Sequence, residues 1–168
     1  CIASLEDGKH GLAFASGRGA ETTTMHLFGP GNHIIVSNGV YGGTYRLFER
    51  VMAPYCLKFS YIDMTDPETV AGYIRPETRA IWIESPSNPL MKLVDITAVT
   101  AAARTPQILV IVDNTLAPPS GQQPLTTGAD IVVHRSAQYP GGHRAAGGGV
   151  VVLYDDTLGD RPRCVPRA

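Results

Sequence analysis

Lysine is scarce in this sequence: among 168 residues only Lys9, Lys58 and Lys92 carry a side-chain amine. Charge is scarce too, at 17%, and 14 Lys+Arg nearly balance 15 Asp+Glu for a net charge of −1. That balance leaves no basic footprint for nucleic acid and no polybasic attraction to an anionic membrane. The longest aliphatic run, residues 108–112, falls far short of a membrane span. Cys1, Cys56 and Cys164 are too few and too scattered for a disulfide scaffold and form no C-x-x-C pair. They read as reduced thiols of a cytoplasmic protein. His134 and His143 stand nine apart without an acidic neighbour at ligand spacing, so no metal site is expected. No G-x-S-x-G elbow supports a serine hydrolase.

What the chain does have is 18 Gly, 13 Pro and short β-branched runs that alternate with helical patterns. Strands are expected over 33–37, 57–62, 79–84, 108–113, 129–134 and 149–153, and helices over 19–28, 44–53, 67–74 and 96–104. Asp66 before Pro67 reads as an N-cap, and Asp95 caps the next helix. Strands and helices alternating at this spacing predict an α/β fold, a mostly parallel sheet flanked by helices. The length suits one domain that buries about 70% of its unfolded surface. The chain opens at Cys1 rather than Met, and residues 161–168 change abruptly to an Arg/Pro-rich stretch. The expectation is therefore a piece of a larger protein, with 1–158 a folded domain truncated at both ends and 159–168 a frayed tail.

In open α/β sheets ligands bind beyond the carboxyl ends of the strands. Polar residues there include Asp113-Asn114-Thr115, Tyr41-Gly42-Gly43-Thr44, Asn88 between two prolines, and Arg135, Ser136 and Gln138. Ser16-Gly17-Arg18-Gly19 opens a helix, whose free N–H groups suit an anion such as phosphate. Each has a plainer reading beside it. Asp113 and Asn88 suit turns, Tyr41 suits packing, and the glycine turn lacks the third glycine of a dinucleotide fingerprint and the lysine of a Walker loop. Taken together, a phosphate cradle, a buried carboxylate and a stackable aromatic point to an aromatic, phosphorylated cofactor.

Five segments occur in order: Phe14-Ala15-Ser16-Gly17, Val40 to Phe48 (VYGGTYRLF), Glu84 to Pro89 (ESPSNP), Val112-Asp113-Asn114-Thr115 and Gly128-Ala129-Asp130. Across residues 1–158 the chain resembles the Cys/Met-metabolism family of pyridoxal-phosphate enzymes, which includes cystathionine γ-lyase and cystathionine γ-synthase. The resemblance implies the large cofactor domain of a fold-type I enzyme, with pyridoxal 5′-phosphate as cofactor. It implies that the amides of Gly17 and Arg18 bind the phosphate and that Tyr41 stacks on the ring and assists proton traffic. Asn88 would hydrogen-bond the ring's 3-oxygen, and Asp113 would pair with the pyridinium nitrogen. That last role agrees with the physics, since an adjacent cation favours an ionised carboxylate.

In the family a lysine carries the cofactor as a Schiff base and shuttles protons. The family reads Ser/Thr-x-Thr-Lys-Tyr before Gly-His, where this chain reads Arg135-Ser136-Ala137-Gln138-Tyr139-Pro140-Gly141-Gly142-His143. Gln138 thus takes the lysine position, and Arg135 and Ala137 replace the two hydroxyl residues that would hold the phosphate. A glutamine amide neither forms an imine nor acts as a base near neutral pH. Arg135 and Arg18 are instead expected to offer guanidinium groups to the phosphate, leaving cofactor binding weak and non-covalent. The resemblance implies a transsulfuration enzyme that cleaves or exchanges a C–S bond of cystathionine or a related sulfur amino acid, here impaired or inactive. It also implies a homo-oligomer, an expectation that truncation weakens. Two alternatives stand beside it: a non-catalytic paralogue kept for cofactor binding or interaction with a partner, and a decayed gene product.

Overall fold

The computed structural model describes residues 2–103, 107–117, 119–135 and 147–156. Ala137 and Gln138, the end of the helix expected over 96–104, and the expected 159–168 tail lie outside the described residues.

Among the described residues seven strands form one sheet: β1 (His10–Phe14), β2 (His33–Ser37), β3 (Lys58–Ile62), β4 (Thr78–Glu84), β5 (Leu109–Asp113), β6 (Ile131–Arg135) and β7 (Gly149–Leu153). Their lateral order is β1-β7-β6-β5-β4-β2-β3. Strands β2 to β6 run parallel to one another, and β7 is antiparallel to both β6 and β1. The expected class, a mostly parallel sheet flanked by helices, is the class observed. Strand β1 was not expected; it lies at the sheet edge, and its half-exposed His10, Leu12 and Phe14 alternate with exposed Gly11 and Ala13.

Five α-helical segments among the described residues accompany the sheet: α1 (Ile2–Leu5), α2 (Gly17–Met25), α3 (Gly42–Leu47), α4 (Glu68–Ala71) and α5 (Ile96–Ala102). The helix expected over 44–53 is broken into α3, a wide π turn over Phe48–Met52 and a tight 3₁₀ turn over Ala53–Tyr55. Pro54 sits in that last turn; lacking an N–H, it cannot continue an α-helix. The helix expected over 67–74 shrinks to α4, whose N-cap is Pro67 rather than the expected Asp66; Asp66 stands one residue earlier, where its Oδ1 accepts from Glu68 N–H at 3.1 Å. Asp95 caps α5 as expected, accepting from Ala98 N–H at 2.9 Å. No helix among the described residues is long and apolar enough to cross a membrane.

Side chains alternate across the sheet. Trp82, Ile111, Ile131 and Val133 point to one face, where they meet Ala20 and Met25 of α2, Leu47 of α3, and Phe48. Ile81, Ile83, Val110 and Val112 point to the other, against Val70 of α4 and Ile96 and Val99 of α5. Trp82 meets Phe48 edge-on with centroids 5.2 Å apart, a geometry worth about 0.5–1.5 kcal/mol beyond the area buried. The same alternation decides which way the strand ends point. Glu84, Asp113 and Arg135 each lie two residues beyond Trp82, Ile111 and Val133, so all three turn toward the α2 face.

Candidate functional site

The register of three neighbouring strands brings the site together. Glu84 pairs with Asp113 across β4 and β5, and Asp113 pairs with Val133, two residues before Arg135, across β5 and β6. From the opposite side α2 contributes Glu21, one helical turn beyond Gly17 and so on the same face. Glu21, Glu84 and Asp113 are all fully buried. Three carboxyl groups share a buried space only where protons or a counter-charge offset their repulsion.

Arg135 supplies it. Its Nη2 lies 3.1 Å from Glu84 Oε1, to which it donates a hydrogen bond, and 3.1 Å from Asp113 Oδ2. Its Nη1 stands 3.8 Å from Glu21 Oε1. The guanidinium carbon lies 4.5 Å from the Tyr41 ring centroid, a cation–π contact. Thr115 fixes the root of the side chain, its Oγ1 accepting from Arg135 N–H at 2.9 Å and from Nε at 3.2 Å. The Thr115 hydroxyl in turn donates to Asp113 Oδ1, which also accepts the Thr115 N–H. Asp113 Oδ2 is buried and, among the described residues, accepts no hydrogen bond, so its contact with Arg135 is one of charge.

The electrostatics follow from that packing. Burial, reinforced by the Asp113 charge, pushes the Glu21 carboxyl up to about 7 and the Glu84 carboxyl up to about 8. Burial alone would lower the Arg135 guanidinium, but Asp113, Glu84 and Glu21 outweigh it and hold the group above its ordinary value.

Tyr41 is placed by Glu84 as well, for its N–H donates to Glu84 Oε2 at 2.8 Å. Its ring folds over Gly43, where a Cβ would come within 2.3 Å of Tyr41 Cε1. At the start of α2, Ser16 Oγ accepts from Gly19 N–H at 3.0 Å. Gly17 is covered by the arginine stem: a Cβ there would stand 2.2 Å from Arg135 Cγ. A cavity of about 210 Å³ remains, lined by Gly17, Arg18, Glu21, Tyr41 and Arg135 among others.

Of the residues singled out in the sequence, Gly17, Arg18, Tyr41, Asp113 and Arg135 come together. Asn88 is half-buried in the loop after β4; its N–H donates to the Gly39 carbonyl at 3.2 Å, and it does not line the cavity. Two central residues were missed, Glu21 and Glu84. The rule that selects Asp113, a polar residue ending a buried strand, applies equally to Glu84, and the four-residue step from Gly17 would have found Glu21. His134 also has an acidic partner that sequence spacing hides. On the opposite face of β6 its Nε2 meets Glu6 Oε1, which accepts from Asn114 Nδ2 at 2.9 Å.

The family model for Cys/Met-metabolism PLP-dependent enzymes matches residues 1–168. The chain belongs to that family. It is 49% identical over 168 residues to a probable cystathionine γ-synthase of Herpetosiphon aurantiacus, covering all of this chain and 53% of that protein. It is 43% identical over 170 residues to a cystathionine β-lyase of Coxiella burnetii, again over all of this chain and 44% of the relative. A solved cystathionine γ-lyase from Lactobacillus plantarum, complexed with L-serine, superposes with a TM-score of 0.93 at 45% identity, over 96% of this chain and 42% of that one. The chain thus spans about half the length of the relatives it matches.

The cofactor of the Cys/Met-metabolism family is pyridoxal phosphate. By residue type the site suits that group, with a buried Asp113 oxygen that accepts no hydrogen bond among the described residues, an aromatic face at Tyr41 and a glycine at the head of α2. By occupancy it does not. One side chain, Arg135, lies on the Tyr41 ring, contacts Asp113 and covers Gly17.

Proposed function

We propose that this chain is the large, cofactor-binding domain of a transsulfuration-type enzyme, in which C–S bond chemistry on cystathionine or a related sulfur amino acid is impaired. The domain is read as residues 1–158, from a cytoplasmic protein for which membership of the family suggests a homo-oligomer. Tyr41, Asp113, Asn88 and the first amides of α2 at Gly17 and Arg18 are the residues assigned to the cofactor. Gln138 and Ala137 are the substituted positions.

The observation that carries the impairment is where the three lysines sit. Lys9 pairs with Asp156 at 2.5 Å, Lys58 with Glu77 at 3.5 Å and Lys92 with Asp63 at 2.6 Å. None of them lines the cavity beside Tyr41 and Arg135. A family chemistry built on a lysine amine has no such amine to call on there, and losing a nucleophile-base of this kind costs several orders of magnitude in rate.

The test is an absorbance titration of the purified chain with pyridoxal phosphate, followed by borohydride reduction and dialysis. The parent chain is expected to retain no covalently fixed chromophore. The triple variant Arg135→Ser/Ala137→Thr/Gln138→Lys, which restores the family's pattern, is expected to retain one. A chromophore fixed on the parent, or none on a folded triple variant, would overturn this reading.

A second reading, a non-catalytic paralogue, is favoured by Arg135. Its guanidinium already gives the buried carboxylates a counter-charge from within the chain, which a domain kept without a cofactor would need.

A further inference from the structure

Glu21, Glu84, Asp113 and Tyr41 make a receptor for one flat cation, with three carboxylates at its rim and an aromatic face beneath it. A protonated pyridine ring meets that description, and so does a guanidinium. We propose that Arg135 is an internal occupant of the cofactor site, its guanidinium holding the place between Tyr41 and Asp113 that the cofactor ring would claim. The inference rests on the proposed function, which assigns those two residues to the cofactor.

Three features show a built fit rather than a passing contact. The guanidinium reaches all three carboxylates while lying on Tyr41, so both its edge and its face are engaged. The root of the side chain is tied twice to Thr115 Oγ1, and Thr115 also holds Asp113, so cation and carboxylate share one clamp. The stem lies against Gly17, so the arginine covers the head of α2, the group assigned to the phosphate, as well as the residues assigned to the ring. Its side chain is only 12% exposed.

The occupancy makes Arg135 the residue that decides whether the site admits pyridoxal phosphate. A ring entering beside Asp113 must expel a buried cation from three carboxylates, and only its own positive charge could replace what it displaces. An incoming group without such a charge leaves the carboxylates unmatched. Arg135→Ser, a change to the residue type of the family's pattern, removes both obstacles at once.

The experiment compares pyridoxal phosphate binding, read by absorbance and retention on dialysis, in the parent chain, Arg135→Ser and Arg135→Ser/Glu84→Gln. The last variant removes one buried carboxylate with the cation, in case serine alone leaves the chain unfolded; folding is checked by circular dichroism. The expected result is a dissociation constant at least tenfold lower in a folded variant than in the parent, with the gain lost when Asp113→Asn is added. Equal affinity in parent and variant, or a gain that survives Asp113→Asn, would overturn the inference. So would folded variants that bind no better than the parent. The Arg135→Ser/Ala137→Thr/Gln138→Lys chain separates the two failures. If it fixes cofactor covalently while Arg135→Ser gains nothing, the occupancy falls and the family reading stands. If it too takes up none, the reading of the site falls with it.

Discussion

Glu84 and Asp113 stand side by side at the carboxyl ends of adjacent parallel strands, both fully buried, and the same Arg135 nitrogen lies 3.1 Å from an oxygen of each. Among the described residues, two carboxylates at neighbouring register positions and a third from α2 share one buried guanidinium, with Arg18 adding a weaker attraction at Glu21. Much of what the molecule will do when perturbed follows from that shortage of positive charge.

The first consequence is a pH dependence of stability. The carboxyls of Glu21 and Glu84 rise on folding from an ordinary 4.5 to about 7 and about 8. The folded chain therefore binds more protons than the unfolded chain between those values, so stability falls as pH rises. Their contribution is fully present below about pH 4.5 and is lost as pH passes through 7 to 8. Urea midpoints of the parent and Glu84→Gln at pH 5, 6.5 and 8 should diverge, with the parent losing stability relative to the variant. Parallel curves would refute the assignment.

Removing the cation should be costly. Arg135→Ala leaves three buried carboxylates facing one another, and breaking a buried ion pair from one side costs about 3–5 kcal/mol. Arg135→Ala/Glu84→Gln should recover part of that loss, giving a favourable coupling in a double-mutant cycle. Additive losses would mean that the two residues do not act on each other.

Two glycines separate packing from propensity. Gly43→Ala puts a methyl 2.3 Å from Tyr41 Cε1 and should cost about 1–3 kcal/mol by displacing the ring from Arg135. Gly29→Ala meets nothing within 4 Å and should be neutral or stabilising by up to about 1 kcal/mol. Thermal melts of the two variants read the contrast directly. A neutral Gly43→Ala would show that the Tyr41 ring yields freely.

At α5, Asp95→Ala removes the side chain that accepts from Ala98 N–H and should cost about 1 kcal/mol, while Asp95→Asn should keep most of the cap. Chemical denaturation of the pair checks it; equal losses in both would point to charge rather than capping.

How much of this could be read from the residues depends on which kind of contact carries it. Strands β2, β4, β5 and β7 are buried along nearly their whole length, and a continuous apolar run is by itself enough to announce such a strand. Strand β1 has weak alternation and a glycine, so it hides until β7 is there to pair with it. Asp113 was legible because it ends the most apolar run. Glu84 and Glu21 were not, because an acid at the end of a strand or on a helix reads as a solvated terminus unless the lateral register is known. The partners of Arg135 were hidden for the same reason, being 20, 51 and 114 residues away in sequence.

The sheet is also a partition between two electrostatic compartments. His134 and Arg135 are consecutive, yet one answers Glu6 on the far side of β6 and the other answers Glu84 on the near side. Parity alone assigns each of the two side chains its acid. Exchanging the two residues would leave net composition untouched and mismatch both compartments. Glu6 would receive a long guanidinium in a space cut for an imidazole, and the three carboxylates would receive a ring too short to lie on Tyr41.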